Sequence, residues 1–290
     1  MLTAGRTLNY LAAAIVATGL LTAACTASGA ASASPAATKP ASTPDSHSAG
    51  DSPSASSAPT PSPTSKAPNT RPLAGKTVGI DHGHNGLNYT DPAFLNKQIW
   101  NGRELENCNT TGTQTASGYS EAKFNFNVAT YLATDLRRAG AHVVLTRQNN
   151  NGIGPCVNRR AQIIDAAHPN VAIDIHADGG PTWGRGFTVL EPVADGINNN
   201  VIAPALLFGS YVHSAFLTYT PLRPSDYYGH NGYIFRNNLA GLNLTRVPEV
   251  LIECGNMTNR TEAALLTSPS VQRQIARALE AAIIRFLARR

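Results

Sequence analysis

The chain has 290 residues, of which 42% are hydrophobic and 14% charged, with a formal net charge of +5. That length holds one sizeable domain or two small ones. The basic residues form no stripe, which excludes the clustered cationic face that nucleic-acid binding requires.

Arg6 precedes an apolar run from Leu11 to Ala24. Such a run is too short to span a bilayer and matches the apolar segment of an export signal. Residues 1–24 are therefore read as a signal peptide. The run ends in Thr22-Ala23-Ala24-Cys25. A cysteine after small residues at this point is similar to a bacterial lipoprotein cleavage site, with Thr22 where leucine is usual. Cys25 is thus a candidate lipid anchor to a membrane, each buried methylene contributing about 0.8 kcal/mol. Export to the cell envelope is expected with or without the anchor.

From Thr26 to Pro72, 38 of 47 residues are Ala, Ser, Thr or Pro, with no apolar period. No core can form there to offset the entropy of ordering, so residues 25–72 are read as a disordered tether. As a flexible coil its ends lie about 40 Å apart. Residues 73–290 are left as the folded domain.

In that domain strand and helix patterns alternate. Lys76–Asp81 reads as a strand. Ser120 caps a helix with Phe124, Val128, Leu132 and Leu136 at four-residue spacing, closed by Gly140. His142–Thr146 is a strand, Val157–Ala167 a helix, and Val171–His176 and Gly186–Leu190 strands. Val201–Leu217 is a helix and Val250–Glu253 a strand. Ser268-Pro269 opens a last helix with Ile275, Leu279, Ile283 and Phe286 inward. The pattern predicts one α/β domain with a twisted, largely parallel central sheet flanked by helices on both faces. The segment from Asn85 to Tyr119 carries no strong pattern, and long loops in compact domains are usually functional or mobile.

Cys108 and Cys156 lie in polar, turn-rich stretches, whereas Cys254 lies inside the apolar run VLIEC. In an oxidising compartment the first two are expected to pair and to pin the Asn85–Tyr119 segment. Cys254 is expected to be a buried free thiol.

Three strands end in ionisable groups: Asp81-His82-Gly83-His84, Asp174-Ile175-His176-Ala177-Asp178 and Glu253-Cys254-Gly255-Asn256. If these strands run parallel, their ends meet on one rim, where sites of open α/β sheets lie. Glu121, in the first turn of its helix, can face the same rim. Two histidines and a carboxylate suit zinc with one open position, and a remaining carboxylate can carry protons. Spacing alone leaves the third ligand open among Asp81, Glu121, Asp174 and Asp178. His82 and His84, two apart, are expected to share one side, His84 as ligand and His82 as its hydrogen-bonded neighbour.

The stretches VGIDHGHNG, SEAKFNFNVATYLATDLRRAGAHVVLTR, NVAIDIHADG and VPEVLIECGNMTN follow in that order. Together they resemble the zinc-dependent N-acetylmuramoyl-L-alanine amidases of the Amidase_3 class, over essentially Leu73 to Arg290. The resemblance implies a Zn²⁺ held by His84, Glu121 and His176, with Glu253 as the catalytic carboxylate. It implies hydrolysis of the amide between N-acetylmuramic acid and L-alanine, in peptidoglycan or its muropeptide fragments. His82 stands where the family usually has proline, Asp174 where serine is common, Asp178 where asparagine is common, and Asn256 where phenylalanine is frequent. A monomer is expected. Two other readings are carried: a metal-dependent amidohydrolase barrel using both His82 and His84, and a non-enzymatic cell-wall-binding lipoprotein. Arg236, in YIFRNN, is a candidate contact for a substrate carboxylate, with a surface salt bridge as its alternative.

Overall fold

The computed structural model describes residues 71–288. The expected signal peptide, the candidate anchor Cys25 and all but the last two residues of the expected tether lie outside them.

In chain order the strands are β1 (Thr77–His82), β2 (Gln98–Trp100), β3 (Leu105–Asn107), β4 (His142–Leu145), β5 (Val171–Asp178), β6 (Thr188–Pro192), β7 (Tyr233–Arg236) and β8 (Glu249–Asn256). Six of them form one sheet in the order β4-β1-β5-β8-β6-β7. The first four in that order run parallel. β6 then reverses, antiparallel to β8, and β7 follows β6 in parallel. The sheet is mixed but mostly parallel, and it is open. The closed eight-stranded barrel of the alternative reading is excluded.

The helices are α1 (Pro92–Leu95), α2 (Glu121–Arg138), α3 (Val157–Ala166), α4 (Ile202–Tyr219), α5 (Ala240–Leu244), α6 (Arg260–Leu266) and α7 (Pro269–Leu287). Ser120 caps α2 as its sequence predicts, its Oγ accepting from the Lys123 N–H at 3.3 Å. α2, α4 and α7 cover one face of the sheet, while α3 and α5 pack together on the other. α4 is long and apolar enough to cross a membrane by composition, yet it buries Phe208, Val212 and Phe216 in the core.

Strand alternation separates the two faces. On β5, Ile173, Ile175 and Ala177 join the core under α2 and α7, while Asp174, His176 and Asp178 point to the α3 side. On β8, Val250, Ile252 and Cys254 enter the same core, while Leu251 and Glu253 face the α3 side. Within the apparently continuous apolar runs, one face is therefore oil and the other carries charge near the strand ends.

The expected disulfide between Cys108 and Cys156 is present, and Cys254 is a buried free thiol. The long 85–119 connection is not patternless in space. It folds into α1 and the antiparallel β2–β3 hairpin, elements of three or four residues that are too short to leave a periodic signature.

Candidate metal centre

β1, β5 and β8 are adjacent and parallel, so their carboxyl ends share one rim. His176 on β5 lies directly opposite Glu253 on β8. Past the end of β1 the chain turns sharply: His84 has φ +61°, a left-handed conformation uncommon for a residue with a Cβ. That turn brings its ring back against His176, edge to face at 4.8 Å between centroids. It requires Gly83, because a Cβ there would sit 2.1 Å from His176 Nε2.

Glu121 reaches the rim from the first turn of α2. Its Oε1 is 2.7 Å from His176 Nδ1 and its Oε2 is 3.2 Å from His84 Nε2. The backbone N–H of Thr113 donates to Oε2 at 2.9 Å. One donor atom each from His84, Glu121 and His176 falls within 4.8 Å of the others. With metal–donor bonds of about 2.0–2.2 Å, a tetrahedral ion needs donors roughly 3.4 Å apart, so the group fits one ion without rearranging the backbone.

The surroundings fix both rings. His84 Nδ1 lies 3.1 Å from the carbonyl oxygen of Thr110, which can only accept, so the proton sits on Nδ1 and Nε2 is free to bind. His176 Nε2 lies 3.4 Å from Asp174 Oδ1, leaving Nδ1 toward Glu121. Burial by itself would raise the Glu121 pKa, but His84 and His176 outweigh it and hold the carboxylate well below its usual range. Glu253 goes the other way. Burial, reinforced by Glu121, Asp178 and Asp174 and opposed by His176, pushes it well above the carboxylate range. A proton acceptor working near neutral pH needs a shift in that direction.

Beneath the rim two buried arginines hold the β1 turn by its carbonyls. Arg160 on α3 pairs with Asp81 and donates to the oxygens of His82 (3.0 Å) and His84 (2.6 Å). Arg147, just past β4, donates to His82 O at 2.9 Å and to Ala122 O, in the first turn of α2, at 2.9 Å. The strand end carrying His84 and the helix end carrying Glu121 are thus fixed to each other. Asp81 is spent on Arg160 and Thr146, and Asp178 accepts from the Tyr227 hydroxyl at 2.8 Å. Neither belongs to the three-residue cluster.

One expectation is overturned. His82 does not neighbour His84. Its ring turns to the opposite face, stacks on Phe126 at 5.7 Å, and leaves both nitrogens without a hydrogen-bond partner among the described residues. β1 ends at His82, two residues short of His84, so the period-two rule does not reach it. Burial and Arg147 lower the His82 pKa to about 3, so it is a neutral packing residue. Sequence reasoning also missed the two arginines. Neither was assigned a role from the sequence, and only their tertiary partners distinguish them.

Comparisons with known proteins agree with this geometry. A family model described as N-acetylmuramoyl-L-alanine amidase matches residues 78–285. The chain is 38% identical over 217 residues to the N-acetylmuramoyl-L-alanine amidase Rv3717 of Mycobacterium tuberculosis, covering 74% of this chain and 88% of that one. Among solved structures it is similar to the N-acetylmuramyl-L-alanine amidase Ami1 of Mycobacterium smegmatis (35% identity, TM-score 0.71, 75% of this chain and 99% of that one). It is equally similar to Ami1 of Mycobacterium abscessus (36% identity, TM-score 0.70, 74% and 100%). With a shared rim, an intact His–Glu–His cluster and a family match over most of its length, the chain belongs to the N-acetylmuramoyl-L-alanine amidases, hydrolases of a peptidoglycan amide bond.

Proposed function

We propose that His84, Glu121 and His176 hold one zinc ion and that Glu253 is the catalytic carboxylate for cleavage of the amide between N-acetylmuramic acid and L-alanine. The observation that carries this is the cluster of two imidazoles and one carboxylate within 4.8 Å, lining the same cavity as a fourth, unliganded carboxyl group. Two nitrogens and one oxygen match zinc, and three protein ligands leave a position for chemistry. A zinc ion bound there supplies Lewis acidity toward the scissile carbonyl and toward water.

The protein's own groups do the rest. Glu253 takes a proton from the attacking water and delivers it to the departing nitrogen of L-alanine. Thr110 and Asp174 orient the two rings. Arg147 and Arg160 hold the turn so that His84 does not have to be ordered when metal binds. The substrate is peptidoglycan or muropeptides in the cell envelope. In this reading residues 1–24 direct export, Cys25 takes the lipid anchor, and residues 25–72 give the domain at 73–290 reach toward the wall as a monomer.

The test is metal content together with product analysis. Wild type and Glu253→Gln should each hold one zinc per chain and His84→Ala none, with only wild type releasing free stem peptide from muramyl peptide. Glu253→Gln should lower kcat by about 10²–10⁴. Zinc-loaded wild type that frees no stem, or Glu253→Gln working at the wild-type rate, ends the proposal.

A further inference from the structure

The metal cluster lies at one end of a larger hollow. A cavity of about 380 Å³ is lined by His84, Glu121, His176 and Glu253, and also by Leu242 of α5 and by Arg236 at the end of β7. Within β7, Ile234 and Arg236 share a face, and Ile234 packs with Leu190, Leu242 and Leu251 on the α5 side of the sheet. The Arg236 side chain therefore leaves the sheet on the same side as Glu253.

Its partners are neutral. Nε donates to Asn238 Oδ1 at 2.9 Å, and Nη1 donates to the Tyr228 hydroxyl. No carboxylate among the described residues comes within 4.0 Å of the guanidinium. The surface salt bridge considered for it is absent. Glu106, on the same cavity wall, feels the Arg236 charge without pairing with it and bonds instead to the Asn101 side chain and the Ala240 backbone. The other cation on the wall, Arg160, is committed to Asp81. Arg236 is thus a preset guanidinium with donors to spare, facing a cavity whose other end cuts an amide.

The register gives its distance. Glu253 lies opposite Thr188, and Arg236 lies opposite Pro192, four residues further along β6. Four residues along and two strands across place the two Cα atoms about 16 Å apart. Three extended residues span roughly 10 Å, and an arginine side chain covers the remainder.

We infer that Arg236 anchors a carboxylate of the peptide stem, about three residues beyond the scissile amide, and makes the enzyme selective for stems that carry it. The inference rests on the amidase reading and on Glu253 marking the point of cleavage. A planar guanidinium meets a carboxylate through two parallel bonds, and replacing that carboxylate by an amide loses both charge and one acceptor.

The test compares muramyl tripeptides whose terminal carboxylate is free or amidated, and whose side-chain carboxylate is free or amidated. Wild type should prefer one free carboxylate by roughly tenfold or more in kcat/KM, carried mainly in KM. The arm that loses activity identifies which carboxylate is read. Arg236→Gln should abolish the preference, so that acid and amide are cut with equal kcat/KM, and Arg236→Lys should retain part of it. Equal rates for acids and amides in wild type, or an undiminished preference in Arg236→Gln, overturn the anchor. Release of no stem from any of these substrates overturns the amidase reading and the anchor with it.

Discussion

The two ends of the catalytic face are built on different terms. At the parallel rim, β1, β5 and β8 deliver His84, His176 and Glu253, and the charged pair beneath is buried: Arg160 is 2% exposed and Asp81 6%. At the antiparallel end, β7 and the β2–β3 hairpin carry Trp100, Leu105 and Phe235 open to solvent. There Arg103 and Arg236 bond only to carbonyl, amide and hydroxyl groups. On the proposed reading, the contrast separates chemistry from recognition. A metal site needs donors placed to tenths of an ångström before the metal arrives, and buried charge–carbonyl networks provide that rigidity. A stem-binding floor needs reach and contact area, and it tolerates a looser frame.

That comparison can be broken by matched substitutions. Arg160→Leu strips Asp81 of its buried partner and releases the His82 and His84 carbonyls, so it should cost about 3–5 kcal/mol of stability in urea titration. Arg103→Leu at the other end releases two carbonyls of the Val193–Ala194 turn and should cost about 1 kcal/mol. Equal costs would mean that the two ends are not built differently.

A smaller effect is expected from Asp174→Ser, which removes the carboxylate behind His176. Zinc affinity, read by competition with a chromophoric chelator, should fall about 10–100-fold. The melting temperature of the metal-free protein should hold or rise, because burial already disfavours the Asp174 charge. An affinity within twofold of wild type would remove Asp174 from the metal site.

The smallest effect belongs to His82. Its folded pKa is depressed from 6.5 to about 3 by burial and then by Arg147. The stability it allows is fully present above pH 6.5 and is lost progressively as pH falls toward 3, because the unfolded chain takes up the proton first. Between pH 6.5 and 5.5 the loss is about 1 kcal/mol. His82→Phe, which keeps the stack on Phe126, should flatten that slope. An unchanged slope would show that His82 does not cause it.

The rim was legible because its signals are local. Glu121 follows a capping serine, and His84, His176 and Glu253 each close or follow an apolar strand run. Parallel strands then had one way to bring those ends together. The family resemblance chose Glu121 over three aspartates, and the structure shows two of those spent elsewhere, Asp81 on Arg160 and Asp178 on Tyr227. The antiparallel end was not legible. β7 is four residues long, and β2 and β3 are three each. Over so few residues no apolar period can be told from chance.

The sequence by itself determined the elements with long periods, the cysteine pairing and the order in which the chemical groups arrive. Only the tertiary structure decided which side His82 takes, which arginines are structural, that β6 reverses the sheet, and that Arg236 opens onto the cavity holding His84. Those outcomes depend on partners from about 40 to about 150 residues away, and no local pattern records a partner that far along the chain.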